Sequence, residues 1–174
     1  LGACSDGSQF PVATGKATIT TINAIYGSPD MNFLIEERPI GQVRYQDTTT
    51  LARYDDLDYT FSFEVFFAGD LTLTRIASQH IDFVADQHYT ILASGTIAAP
   101  VLTVWDEPQR GFADTDTVFQ TRFSHASNSH SATTIDVSFA FDGVAPALGG
   151  GVWIPSFGEP SVGPDFEARG SWFT

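Results

Sequence analysis

Residues 57–66 read Leu-Asp-Tyr-Thr-Phe-Ser-Phe-Glu-Val-Phe, apolar at every odd position and polar at every even one until the last residue. Side chains of an extended strand alternate between two faces, so this run is a strand with one face that must be covered. A helix would scatter the same apolar residues around its circumference. Further short apolar or β-branched runs lie at 17–22, 31–36, 71–76, 81–84, 89–93 and 101–105, separated by turn formers such as Ala68-Gly69-Asp70, Asp86-Gln87 and Ala99-Pro100. No segment carries a capped 3.6-residue apolar stripe. Closely spaced strands with turn punctuation predict an all-β antiparallel sandwich of about 100 residues per unit. With 43% hydrophobic and 13% aromatic residues, the 174-residue chain can fill such a core.

The unit then starts again. Thr21-Ile22-Asn23-Ala24, ahead of Ser28-Pro29-Asp30 and Met31-Asn32-Phe33, corresponds to Phe123-Ser124-His125-Ala126, ahead of Ser127-Asn128 and Ile135-Asp136-Val137. The Ala-to-Ala offset is 102 and the Ser-to-Ser offset 99, the difference being an insertion of Ile25-Tyr26-Gly27 in the first copy. From Gly143 the pattern weakens into Gly149-Gly150-Gly151, Pro155, Pro160 and Pro164, before a strand expected at 166–173. The expected division is residues 1–15 as a lipobox remnant and flexible tether, 16–110 as a complete sandwich and 111–174 as a partial second copy. A half sandwich exposes strand edges and apolar surface. Either the parent chain continues past Thr174 or these strands dock on the first unit.

These openings resemble the bacterial family called domain of unknown function 4397. Its pattern is a strand ending in Asn/His-Ala-Ser, a Pro-Asp-type turn and then Val-Asp-Val-Tyr-Val; the aromatic hairpin Asp86-Gln87-His88-Tyr89-Thr90 fits as well. The resemblance covers most of residues 16–140. It implies a β-sandwich of Ig-like architecture, in tandem copies, on exported cell-envelope proteins, and it implies no chemistry.

Leu1-Gly2-Ala3-Cys4, followed by Ser5, resembles the lipobox of bacterial lipoproteins, in which the cysteine is acylated. Cys4 is the only cysteine and has no intramolecular disulfide partner. A basic start and an apolar core of roughly 7–15 residues are expected upstream. Ser5 in place of Asp behind the cysteine resembles the signal for the outer membrane. No run approaches the roughly 18 apolar residues that span a bilayer, so the expected membrane partner is reached by acyl chains on Cys4. Residues 5–15 are small, polar and broken by Pro11. As a coil of about ten residues they reach on the order of 18 Å.

Twenty-one acids against eight bases give a net charge of −13, and both halves are acidic. Lys16 is the only lysine. Nucleic-acid binding needs clustered cations to displace counterions from phosphates, so it is excluded as a partner.

His80, Asp82, Asp86 and His88 would share one face of a single strand and could hold zinc as a hydrolase centre. Ala85-Asp86-Gln87 reads instead as a turn that throws His88 away from His80. Asp55, Asp56 and Asp58, and separately Asp114 and Asp116, are carboxylate clusters of the kind that bind calcium loosely, without the Gly and terminal Glu of an EF-hand loop; solvated acids are the simpler reading. Ser124-His125 and Ser129-His130 are neighbours that diverge on a strand, as do Glu36 and Glu37, so neither a Ser-His couple nor a glycosidase pair is indicated. Tyr45, Tyr54, Trp105, Trp153, Phe157 and Trp172 could form a sugar platform if their rings face solvent. The expectation is therefore a noncatalytic, lipid-anchored interaction, adhesion or spacer module of the cell envelope, without cofactor or metal, with an unidentified protein or polysaccharide partner. The alternatives are a carbohydrate-binding module and, third, the metal-dependent hydrolase.

Overall fold

Ten strands and no helix make up the described part of the chain: β1 (Lys16–Asn23), β2 (Met31–Ile35), β3 (Arg38–Val43), β4 (Ala52–Asp55), β5 (Asp58–Val65), β6 (Thr74–Asp82), β7 (His88–Thr96), β8 (Ala99–Glu107), β9 (Val118–Ser124) and β10 (Pro160–Glu167). The structure is a computed structural model that describes residues 11–70, 72–107, 111, 113, 118–124, 126 and 160–167. The alternating run is β5, with Phe61, Phe63 and Val65 fully buried and Asp58 and Thr60 exposed.

Strands β1 to β8 form two four-stranded sheets, ordered β4-β1-β7-β8 and β3-β2-β5-β6. One apolar core joins them. Ala17, Ile19, Tyr89, Ile91 and Ala93 enter it from the first sheet, and Phe33, Phe61, Phe63 and Ile81 from the second. The Phe83 and Tyr89 rings meet at 5.1 Å. This is the expected all-β sandwich, with a strand order of its own: β1 and β2, which follow one another along the chain, lie in different sheets, whereas in immunoglobulin domains the first two strands share one. One pairing is also not antiparallel. β1 and β7 start at the same end of the molecule and run parallel from Thr18↔His88 to Asn23↔Ala93. β7 is buried on both faces: Thr90, Leu92 and Ser94, which point away from the core, are buried, as Ile91 is, whereas the outward residues of β1 are half-buried or exposed.

Several strands depart from the expected boundaries. Residues 74–76 of one expected run and 81–82 of the next belong to a single strand, β6, through Ala77-Ser78-Gln79-His80. The β7–β8 turn falls at Ile97-Ala98, so Ala99-Pro100 begins a strand. Thr14 and Gly15, assigned to the tether, are pinned: both backbone N–H groups donate to Asp56 Oδ1, at 2.8 and 2.9 Å. Further on, β9 pairs antiparallel with β10, and the register shifts between Val162 and Asp165, where Gly163-Pro164 interrupts the ladder. Pro160 is tolerated because it is the first residue of its strand.

The β2–β3 hairpin turns on two residues, Glu36 and Glu37, with φ of 45° and 64°. Two left-handed residues in a two-residue loop are the signature of a type I′ turn, a place normally taken by Asn-Gly. Side chains with a Cβ pay roughly 1–2 kcal/mol each in that region. Contacts hold the turn in place: Glu36 N donates to Thr60 O at 3.0 Å, Thr60 N donates to Glu36 Oε1 at 2.5 Å, and Arg75 grips both oxygens of Glu37 at 2.7 and 2.5 Å. Because exposed ion pairs are worth only about 0–1 kcal/mol, relief of backbone strain should win. Replacing Glu36-Glu37 by Asn-Gly is expected to raise Tm by about 2–4 °C, measured by thermal circular dichroism. A fall in Tm would show that the acid contacts outweigh the strain.

Candidate functional site

An open cleft of about 330 Å³ lies on the side of the sandwich where edge strand β4 faces the β2–β3 hairpin of the other sheet. Its floor is Ile35 with the tyrosines Tyr54 and Tyr59, and its charged walls are Lys16, Arg53 and Asp55 on one side and Glu36 and Arg38 on the other. Strand register explains the arrangement. Tyr54 is paired with buried Ala17 and so turns inward against the core, while its neighbours Arg53 and Asp55 turn outward beside Thr18 and Lys16. The two tyrosine rings meet edge to face at 6.0 Å.

Three cations and two acids line this cleft, a local excess of one positive charge in a strongly acidic chain. Lys16 Nζ is spent on Asp55 Oδ1 at 2.7 Å, and Glu36 is held by Thr60 N. Neither Arg38 nor Arg53 is within ion-pair distance of a carboxylate among the described residues. Burial pushes the Tyr54 and Tyr59 hydroxyls above their ordinary range; the negative charge of Asp55 adds to the rise at Tyr59, while the positive charge of Arg38 pulls the other way on both and that of Lys16 does so at Tyr59. Both phenols are therefore neutral hydrogen-bonding groups at physiological pH. The cleft offers two guanidiniums with no ion-pair partner among the described residues, two neutral hydroxyls and aromatic surface. That combination suits recognition of an anionic group on a small polar body.

The sequence candidates for metal chemistry do not assemble. His80 and Asp82 are on β6 in one sheet and His88 is on β7 in the other, with Asp86 in the turn between them. His80 Nε2 sits 2.6 Å from Asp58 Oδ1, and His88 Nε2 shares a hydrogen bond with Thr20 Oγ1 at 3.1 Å. Among the described residues no group of three His, Cys, Asp or Glu side chains could hold a metal ion. The acids of the 55–58 segment are each engaged elsewhere: Asp55 with Lys16, Asp58 with His80, and Asp56 with Thr14 and Gly15. The Thr14 hydroxyl, followed by the Gly15 N–H, holds the Asp56 carboxyl below the usual carboxylate range. Glu37 is lowered by its hydrogen bonds to Arg75.

Of the proposed sugar-binding rings, Tyr54 is in the cleft, Tyr45 meets the 86%-exposed Tyr26 edge to face at 5.6 Å beyond the opposite end of β1, and Trp105 is half-buried on β8. Cys4, Asp114, Asp116, His125, Trp153, Phe157 and Trp172 lie outside the described residues. Arg38 and Arg53 were not singled out from the sequence. Their signal was faint: two isolated arginines, 15 positions apart, with nothing in the chain to say that β3 and β4 edge the same opening.

The motif residues at the end of β1 have a structural task. Asn23, fully buried, accepts from Ile25 N at 3.1 Å and donates to Val43 O at 3.3 Å and Ser28 Oγ at 2.9 Å, while Ala24 N extends the ladder to Ala93 O at 2.8 Å. Asn23-Ala24 and Ser28 thus clasp the β1–β2 connection onto the end of β3. A match to the family described as Domain of unknown function (DUF4397) runs over residues 17–138, from β1 through β8 and β9. The chain belongs to the DUF4397 family. No curated protein matches it. Within this DUF4397 match lie the Asn23 clasp and every residue of the cleft except Lys16.

Proposed function

We propose that the chain is a noncatalytic interaction module of the bacterial cell envelope, exported, tethered through an acylated Cys4, and taking its partner in the cleft beside β4. The single observation carrying this reading is the cleft itself, in which two arginines without carboxylate partners among the described residues flank neutral tyrosines. Binding residues commonly sit at the margins of a rigid sheet scaffold, as these do. The tether is supported by Leu1-Gly2-Ala3-Cys4-Ser5, and an outer-membrane or cell-surface address follows from it. The tandem arrangement draws support from β1 and β9, which begin at Lys16 and Val118 with the same offset of 102 found in the sequence; the family match, over residues 17–138, crosses the proposed join at 110 and lends it no support.

A second reading, a carbohydrate-binding module, is favoured by the Tyr26–Tyr45 ring pair at the end of the sandwich, in which Tyr26 is exposed and Tyr45 half-buried. One experiment tests membrane attachment and binding together. Bacterial cells producing the exported chain are incubated with a panel of labelled surface glycans and peptides. Capture of at least one by wild-type cells is expected, and Cys4→Ala should release the chain from the membrane and abolish the capture. No capture at all, or a Cys4→Ala chain that stays with the membrane, would contradict the proposal.

A further inference from the structure

We infer that the cleft beside β4 recognises a carboxylate carried on a sugar ring, a uronic acid residue in chemical terms; this rests on the interaction-module reading and names its ligand. Twenty-one acids serve only eight bases in this chain, so a cation without an ion-pair partner among the described residues is notable. Of the five basic side chains that the structure describes, Lys16 pairs with Asp55, Arg44 with Asp30, and Arg75 with Glu37 and Glu64. The remaining two, Arg38 and Arg53, line the same cleft.

A guanidinium presents a planar fork of donors that matches a carboxylate bidentately, which a lysine cannot do. Beside the two forks, Tyr54 and Tyr59 supply ring surface for the C–H face of a pyranose and hydroxyls for its OH groups. The volume of about 330 Å³ is at the small end of ligand sites, fitting one or two sugar rings and not a folded partner. A net charge of −13 opposes a densely charged polyanion, but solvent salt screens that field beyond about 8 Å. A single carboxylate on a neutral body is admitted where a polyphosphate is not. An extended acidic peptide would be expected to add a strand to a sheet edge, and β4, with four residues, is a short template for one.

The test is an amide-shift titration of the full, isotopically labelled chain with galacturonic acid, galactose, acetate and a short peptide bearing one Asp. Galacturonic acid is expected to saturate shifts at residues 35–38 and 53–55, with galactose and acetate at least tenfold weaker. The Arg38→Lys/Arg53→Lys chain keeps the charge and loses the forks. It should bind galacturonic acid at least tenfold more weakly while its spectrum elsewhere stays that of the wild type. Galacturonic acid leaving the cleft unshifted, acetate or galactose binding as tightly, or the double lysine variant binding undiminished would each overturn the inference. Cleft binding of the Asp peptide without galacturonic acid would also overturn it, yet leave the interaction-module reading standing; capture on cells tests that reading separately.

Discussion

Phe63→Ala is expected to remove about 3–5 kcal/mol of stability, the range for deleting a fully buried phenylalanine. Phe63 lies mid-strand in β5, fully buried, with its ring 5.9 Å from that of Phe33 on the neighbouring strand. Its backbone is clamped between Phe33 of β2 and Ala77 of β6, so the sheet cannot close over the space that alanine would leave. Phe61, on the same face, is in the same position. Since a domain of this kind is stable by only about 5–15 kcal/mol, the variant should melt far below the wild type and in unfavourable conditions fail to fold. Phe66→Ala is the control. That ring is 49% exposed just past the end of β5, and its loss should cost under about 0.5–1 kcal/mol. Denaturant unfolding of both proteins reads the difference. Equal, small losses would mean that the sheets do not share the core described.

The second large effect is expected at Asn23, where the chemistry differs. Alanine there leaves the Ile25 N–H without its acceptor and the Val43 carbonyl without its side-chain donor, in a place sealed from water. An unsatisfied buried group costs about 1–3 kcal/mol, so Asn23→Ala should destabilise by about 2–4 kcal/mol. Asn23→Asp keeps an oxygen for Ile25 N but loses the amide donor to Val43 O and Ser28 Oγ, and it also brings a charge into the core end. Asn23→Ser has an oxygen but too short a reach to satisfy both partners. The order expected from urea midpoints is wild type first, with every substitution clearly below it. A near-neutral Asn23→Ala would show that the clasp is dispensable, and with it the structural account of the family's Asn-Ala opening.

Strands were legible where burial is one-sided. β5 alternates in sequence because one face meets the core and the start of the other, Asp58 and Thr60, meets water, and β1 announces itself through its β-branched run, with Ala17, Ile19, Thr21 and Asn23 all pointing inward. β3 was not legible. Arg38-Pro39-Ile40-Gly41-Gln42-Val43 is an edge strand with four residues that weaken or mask a strand pattern, and only Val43 is fully buried. Its Pro39 is tolerated because the strand has a partner on one side only. β4 is too short for any periodicity, and the middle of β6 is polar because that strand is the other edge of its sheet. The parallel β1–β7 pairing is a property of topology and leaves no local trace. The same holds for the cleft. Tyr54 could be named from its residue type, but Arg38 and Arg53 acquire meaning only when two edge strands from different sheets are set side by side. The turn Ala85-Asp86-Gln87 was legible, and the structure places a turn there, with Asp86 at φ 62° and His80 and His88 on strands of different sheets.

The account depends most on how the two layers face one another and where they part. Nuclear Overhauser contacts in the intact chain measure this directly. Contacts between the Phe83 and Tyr89 rings, with β1 amide neighbours on β7 advancing in parallel from Thr18 beside His88 to Asn23 beside Ala93, are predicted. An antiparallel β1–β7 register, or no contact between the two rings, would contradict the sandwich and remove the cleft that lies along its edge.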